Sequence, residues 1–334
     1  MILFPMTPEQ KTKIGTPIIP RNKADPTQSY RPVNRMFRDI ENRYYQIKLD
    51  LKQLLDTYLV GRERSGNSLY SYIMSRDGSK PDTLYQVNAG TFIYDMSPQQ
   101  LSDLLLRVET ILDDYLLEGG SNNLWALQYV SDEYQRGTLQ AFTNLSAQSA
   151  VYEQSTTLQQ LLSSPAYQNQ VAAAYISTYS EWRGITDAAR ADLSNIVADA
   201  VARGVSPRET ASVISKRLDV SMSRAKTIAQ TEQVGALRQA QRNEVDWAKE
   251  RLGLNTAILW ISALKPTTRA AHGARHGKTY TTDEVAEFYS KDGNSYNCYC
   301  ANIPCLLDDE GKLYNEGLAE KLSKERSNWK SAGK

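Results

Sequence analysis

The stretch HGARHGKTYTTDEVAEFYSKDGNSYNCYCANIPC, residues 272–305, contains every histidine and every cysteine of the 334-residue chain. In an extended segment, side chains two residues apart share a face, and in a helical turn side chains four apart do so. The two cysteines of the Cys-Tyr-Cys motif and the two histidines could therefore close a tetrahedron around Zn²⁺. The candidate metal site consists of His272, His276, Cys298 and Cys300.

A second interpretation of the same residues needs no metal. The cysteines would then be reduced thiols in a small core, with Cys305 on the following strand and the histidines hydrogen-bonded or exposed. The Cys-x-Cys spacing is tighter than the Cys-x₂₋₄-Cys spacing of common zinc sites. The sequence leaves both alternatives open, so the cofactor is either none or Zn²⁺.

The region upstream predicts helices followed by a strand. One helix begins after Ser206 and ends near Val220, a Ser-rich turn follows, and a second helix runs over about 223–252. The apolar run TAILWIS, residues 256–262, predicts a buried strand that contains Trp260. Small residues form one stripe of the second helix, which predicts close packing against that strand. The small residues are Ala225, Ala229, Ala236 and Ala240.

Glu232 lies in the middle of the small-residue stripe, so the pattern turns its carboxylate inward. A buried carboxylate is unfavourable unless it is paired or hydrogen-bonded, and Arg269 is the expected partner. We therefore assign structural roles to Glu232, Arg269 and Trp260. The alternative role for Glu232 is that of a general base, although the sequence places no nucleophile or acid with it.

The order of these motifs resembles the phage Mu F-like head morphogenesis proteins, which are minor capsid proteins of tailed phages. The resemblance covers about residues 203–305. Its motifs are Ala229-Gln230-Thr231-Glu232, a strand with Trp260, then Arg269, His272 and Gly277, and finally Cys298-Tyr299-Cys300. The chain departs from the family pattern at Leu264-Lys265-Pro266, where an aspartate is usual, and at Tyr299, where the family has arginine.

The resemblance implies a structural, non-enzymatic protein of the phage head, made in the host cytoplasm and carried in the virion. It implies association with the portal protein, and with the major capsid or scaffolding protein, during head assembly and DNA packaging. One alternative is a metal-dependent HNH-like nuclease that uses both histidines, with Asn294 and Asn297 as metal ligands. Another is a non-catalytic nucleic-acid-binding module.

The charge distribution bears on the nucleic-acid alternatives. Residues 95–202 hold 4 Lys and Arg against 13 Asp and Glu, whereas residues 203–278 hold 14 against 6. The basic block could face DNA, or both segments could be solvated helix surfaces. No apolar run approaches the ~18–20 residues of a membrane span, so a membrane is not an expected partner.

The whole chain predicts a mostly helical α+β protein, with long helices and a small β-hairpin in its first two thirds and a small helix-plus-sheet C-terminal domain. An extended Pro-rich arm, residues 1–31, is expected to pack on a partner rather than on its own chain. Residues 32–202 form the helical domain, with the hairpin near 69–94. Residues 203–308 form the Mu F-like domain, and residues 309–334 form a charged tail with a short exposed helix.

Overall fold

The computed structural model describes residues 15–63 and 92–331. Within these ranges the protein is mostly helical, with two small antiparallel sheets, so the predicted α+β class is confirmed. The elements are α1 (Tyr30–Tyr58), β1 (Gly61–Glu63), β2 (Phe92–Tyr94), α2 (Pro98–Leu116), α3 (Leu127–Gln148), α4 (Ala150–Ser155), α5 (Leu158–Leu162), α6 (Pro165–Arg203), α7 (Pro207–Leu252), β3 (Thr256–Ile261), α8 (Ala270–Gly273), β4 (Thr279–Tyr280), α9 (Thr282–Ser290), β5 (Ala301–Leu306) and α10 (Glu316–Ser331). None of these helices is long and apolar enough to cross a membrane.

The chain divides into two compact units, each built from separate segments. Unit 1 comprises Met1–Arg38, Leu124–Ser180 and Lys226–Lys334, and unit 2 comprises Asp39–Asn123 and Glu181–Ala225. The predicted segments 32–202 and 203–308 each contribute residues to both units, so the predicted border at 202 does not coincide with this division.

Unit 2 has a helical core with a small two-stranded sheet. The buried positions of α2 recur every four residues, at Leu104, Val108, Leu112 and Leu116. Ser97 caps this helix through a capping box, as its sequence indicates. The strands β1 and β2 pair antiparallel. Most of the hairpin predicted near 69–94 lies outside the described residues.

The sheet of unit 1 has the strand order β4-β3-β5 and is covered on both faces. Leu259, Ile261 and Cys305 face a cluster that includes Leu322 of α10. The opposite face carries Trp260. Every residue of β3 and β5 is buried, which explains why the five residues of β3 after Thr256 are all apolar rather than alternating with polar ones.

The side chain of Gln148 lies along the outer edge of β5. Its Nε2 donates to the carbonyl oxygen of Pro304 at 3.0 Å, and its Oε1 accepts from the backbone N–H of Leu306 at 3.0 Å. The residue sits at the end of α3 and is fully buried. Its amide therefore occupies the place of a peptide group from a neighbouring strand.

Two predictions about α7 are wrong. The expected turn at residues 221–223 is absent, because α7 is one continuous helix of 46 residues. The small residues Ala236 and Ala240 pack against Val130 and Tyr134 of α3 rather than against the Trp260 strand. Their small size allows α3 and α7 to pack closely. Gly137 of α3 has no Cβ, and a Cβ there would collide with the backbone of Leu237 in α7.

The described part of the N-terminal arm packs on its own unit, contrary to expectation. Residues 15–29 contain neither helix nor strand, yet Thr27 and Ser29 are buried. Ser29 Oγ donates to Glu133 at 3.1 Å, and the N–H of Ile18 donates to Asn144 at 2.9 Å. The polar side chains of α3 supply the hydrogen bonds that an irregular segment needs in order to dock.

The C-terminal helix is also docked, whereas the sequence predicts an exposed one. Leu322 and Trp329 of α10 are buried, and Trp329 Nε1 donates to the carbonyl oxygen of Lys265 at 3.3 Å. The aromatic ring covers Gly273, where a Cβ would lie 2.3 Å from it. The two buried side chains lie seven residues apart on one face of α10, and Leu318 and Ala319 pack beside Leu322.

Candidate metal centre

Three of the four predicted metal ligands meet at one point. The Nδ1 atom of His272 lies 3.3 Å from Cys298 Sγ and 3.6 Å from Cys300 Sγ. All three donor atoms are within 4.8 Å of one another and all three residues are buried. The two cysteines immediately precede β5, so the alternation of an extended chain points both sulfur atoms to the same side.

His272 is held by its other ring nitrogen. Its Nε2 lies 3.2 Å from Asn294 Oδ1, which can only accept, so Nε2 carries the proton. Asn294 is itself oriented, because its Nδ2 donates to the carbonyl oxygen of Phe288 at 3.0 Å. In this tautomer the Nδ1 lone pair of His272 is directed at the two sulfur atoms.

Arg238 of α7 brings a buried positive charge to the cysteines. Its Nε donates to the carbonyl oxygen of Cys300 at 3.0 Å, and its Nη2 donates to that of Cys298 at 2.6 Å. Nη2 also lies 3.1 Å from Cys298 Sγ, and the guanidinium stacks over the ring of Tyr289 at 4.3 Å. With 2% of its surface exposed, Arg238 is neutralised only if a negative group such as a thiolate faces it.

The surroundings of Cys298 and Cys300 shift the pKa values of the two thiols in opposite directions. Burial opposes ionisation of Cys298, but its hydrogen bond with Cys300 and the charge of Arg238 hold the pKa of this thiol well below its ordinary value. The hydrogen bond to Cys298 and burial raise the pKa of Cys300 well above it. Burial raises the pKa of Cys305 to about 12 on the opposite face of the sheet. Cys298 is therefore the thiol that most readily becomes the anionic ligand a metal requires.

A cavity of about 240 Å³ opens beside this cluster. It is lined by the cluster itself and by Tyr30, Ser262, Lys265, Thr268 and Arg269. Lys265 Nζ contacts the phenol of Tyr30 and lies 4.6 Å from its ring centroid. The cavity thus combines two soft sulfur donors and an imidazole with a positively charged rim.

His276, the fourth predicted ligand, is not part of the cluster. Its Nδ1 accepts the backbone N–H of Ser262 at 3.1 Å, and its Nε2 lies 3.2 Å from Glu325 of α10. The short helix α8 ends at Gly273, so the four-residue spacing does not place both histidines on one helical face. Burial lowers the pKa of His276, which favours the neutral ring beside Glu325.

The residues assigned structural roles have mixed outcomes. Trp260 is fully buried and stacks with Tyr289 at 5.1 Å. Glu232 is only half-buried. Arg269 donates three hydrogen bonds to the backbone carbonyls of residues 293, 294 and 296. Its expected pairing with Glu232 stays a prediction. The buried charged side chains of α7 are Arg238 and Glu244.

The sequence indicates that Arg238 is buried only if α7 has a second buried stripe. Six buried residues recur along the helix at spacings of three and four: Gln230, Val234, Arg238, Gln241, Val245 and Ala248. Arg238 lies in the middle of this set, between two valines. An arginine in such a series indicates a buried guanidinium with several acceptors.

One region of the chain matches a known protein family. Residues 191–303 match the family described as Phage Mu protein F like protein. No curated protein and no solved structure shows significant similarity to the chain. The matched region begins within α6 and includes the predicted motif residues Glu232, Trp260 and His272 as well as the two clustered cysteines. Over these residues the chain is similar to phage Mu F-like proteins.

Proposed function

We propose that this protein is a structural minor head protein of a tailed bacteriophage. In this role it associates with the portal protein, and with the major capsid or scaffolding protein, while the head is assembled. The observation that carries the proposal is the family match over residues 191–303. The mature protein is accordingly placed in the virion.

Contact with packaged DNA is a second part of the proposal. Arg208, Lys216 and Arg224 are exposed on α7, within the basic block found in the sequence. Arg217 of the same helix pairs with Asp192 at 2.6 Å, so its charge is largely neutralised. Exposed cations on one helix suit a phosphate backbone, and such binding weakens steeply as salt increases.

The geometry gives less support to the nuclease alternative. A nuclease of the expected type needs both histidines at one metal site, whereas His276 lies against Ser262 and Glu325 and outside the His272 cluster. In addition, Asn294 Oδ1 is engaged with His272 Nε2. The non-catalytic nucleic-acid module remains as an outcome of the tests below.

Co-purification tests the head-assembly role. The tagged chain is expressed with the portal, scaffolding and capsid proteins of its own phage, and complexes are isolated at increasing salt. We expect a complex of fixed stoichiometry with the portal protein, and the chain in purified heads after nuclease treatment. A chain that is absent from heads and binds none of these proteins contradicts the proposal.

A DNA-binding titration separates the remaining alternatives. The double variant Lys216→Gln, Arg224→Gln is expected to weaken DNA binding and to reduce the salt dependence by about two charges. Arg217→Gln is the matched control and should bind as the wild type does. Tight DNA binding without any head protein as a partner would favour the nucleic-acid module, and metal-dependent nicking of a plasmid would favour the nuclease.

A further inference from the structure

The His272 cluster has the donor set and the spacing of a zinc site. A tetrahedral zinc ion with bonds of about 2.3 Å to sulfur and about 2.0 Å to nitrogen separates such ligands by about 3.5 Å. The observed separations of His272 Nδ1 from the two sulfur atoms are 3.3 and 3.6 Å. An ion can therefore enter this cluster without a rearrangement of the backbone.

The surroundings orient the donors as metal sites require. A histidine that binds metal through one nitrogen usually donates the other N–H to a carbonyl or carboxylate oxygen, and His272 does so to Asn294 Oδ1. Arg269 fixes the loop that carries Asn294 through carbonyls at residues 293, 294 and 296. Arg238 donates toward Cys298 Sγ, which stabilises a thiolate.

We propose that His272 Nδ1, Cys298 Sγ and Cys300 Sγ bind one zinc ion, with a fourth position open to the neighbouring cavity. Thiolate and imidazole ligands select zinc over magnesium or calcium, which prefer oxygen. Among the described residues, no further histidine, cysteine or carboxylate joins the cluster. Three protein ligands and an open position are the arrangement of an exchangeable rather than a closed zinc site.

The cavity indicates which ligand takes the fourth position. Its volume of about 240 Å³ accommodates several water molecules or a small anion, and Lys265 and Arg269 line it. Two thiolates and a neutral histidine cancel the charge of Zn²⁺, so these cations, together with Arg238, favour an anionic oxygen ligand. Hydroxide or a carboxylate is of that kind. This inference is independent of the proposed role in head assembly.

Metal content and cobalt spectroscopy of the intact chain test the site. The reduced, full-length protein is expected to retain one zinc ion per chain after dialysis and to release it when a mercurial reagent modifies the thiols. Replacement by Co²⁺ should give a thiolate-to-cobalt charge-transfer band and the strong visible bands of four-coordinate cobalt. Azide should shift the visible bands, because the fourth position exchanges.

Single substitutions identify the ligands. Cys298→Ser should weaken the thiolate-to-cobalt charge-transfer band, and both Cys298→Ser and His272→Gln should reduce zinc affinity at least tenfold. Two matched controls exist in the same unit: Cys305→Ala changes a buried cysteine on the other face of the sheet, and His276→Gln changes the other histidine. Both controls should keep one zinc ion per chain.

Several outcomes would overturn the proposal. A reduced wild-type chain that binds neither zinc nor cobalt would show that the His272 cluster is not a metal site. Loss of zinc in His276→Gln would restore the four-ligand set predicted from sequence. A cobalt spectrum that azide leaves unchanged would show a closed site. The wild-type measurements stand even if a ligand variant fails to fold.

Discussion

Gly137 of α3 lies directly against the carbonyl oxygen of Leu237 of α7, and a Cβ at position 137 would be 2.4 Å from that oxygen. Side-chain packing cannot relieve a contact with backbone, so Gly137→Ala must separate the two helices. We expect a loss of about 1–3 kcal/mol in the free energy of unfolding, as in other overpacked cores. Urea denaturation measures the difference.

Gly235→Ala is the control for that substitution. No atom outside its own helix lies within 4 Å of a Cβ at position 235. Because alanine favours the helix, this change should stabilise the protein by up to about 1 kcal/mol. Equal effects of the two substitutions would contradict the close contact between α3 and α7.

Arg238→Met should destabilise the protein strongly. The substitution removes the guanidinium donors from two buried carbonyl groups, those of Cys298 and Cys300. The carbonyl of Cys298 then keeps only the longer hydrogen bond from Gln230, at 3.4 Å. We expect a loss of about 3 kcal/mol, and a smaller loss for Arg238→Lys, which keeps the charge but not the forked geometry. Arg217→Met, at an exposed ion pair, should change the free energy of unfolding far less. Denaturation curves for Arg238→Met and Arg217→Met that coincide would be inconsistent with this role.

Trp329→Ala should release α10. The indole is buried over Gly273, and its removal is expected to cost about 3 kcal/mol and to make the helix sensitive to protease. Limited proteolysis followed by mass spectrometry detects the cleavage. Lys330→Ala, an exposed neighbour, should remain as resistant as the wild type. If protease removed residues 316–331 from the wild-type protein first, the helix would not be docked.

Glu244 should make stability depend on pH near neutrality. Burial raises the pKa of this carboxyl from 4.5 to about 7, although its hydrogen bond from Tyr152 lowers it. The folded state therefore holds the proton more tightly than the unfolded state. The associated stabilisation is complete below about pH 4.5 and is lost as the pH rises through about 7.

Comparison with Glu244→Gln isolates this effect. Across that pH range, the free energy of unfolding of the wild type should fall by about 3 kcal/mol relative to the variant. Glu250→Gln, an exposed site on the same helix, should follow the wild type. A constant difference between wild type and Glu244→Gln would mean that the carboxyl titrates alike in both states.

The sequence predicts the sheet and part of the site because the relevant spacings are short. Cys298 and Cys300 share a face because side chains alternate along an extended chain. The short apolar run around Trp260 predicts a buried strand, and β3 is one. His276 lies outside the cluster because α8 is only four residues long, so the helical spacing assumed for the two histidines does not apply.

The errors on α7 have a different cause. The small-residue pattern predicts one buried stripe on α7, whereas a helix that is covered on several sides buries more than one. Glu232 lies near the small stripe and is half-buried, whereas Arg238 lies on the second stripe and is fully buried. The docking of α10 depends on Trp329, whose partner Gly273 is distant in sequence, and local patterns carry no signal for such a pair.

The side-chain amide of Gln148 affects whether a second molecule can pair with the outer edge of β5. An unpaired outer strand is a template on which a second molecule can add its own strand, and such addition leads to fibres. Strand β5 has few free hydrogen-bonding groups at this edge. Pro304 has no N–H, and the side chain of Gln148 in α3 already bonds the carbonyl oxygen of Pro304 and the N–H of Leu306. Addition of a second strand to β5 is therefore disfavoured at Pro304 and Leu306.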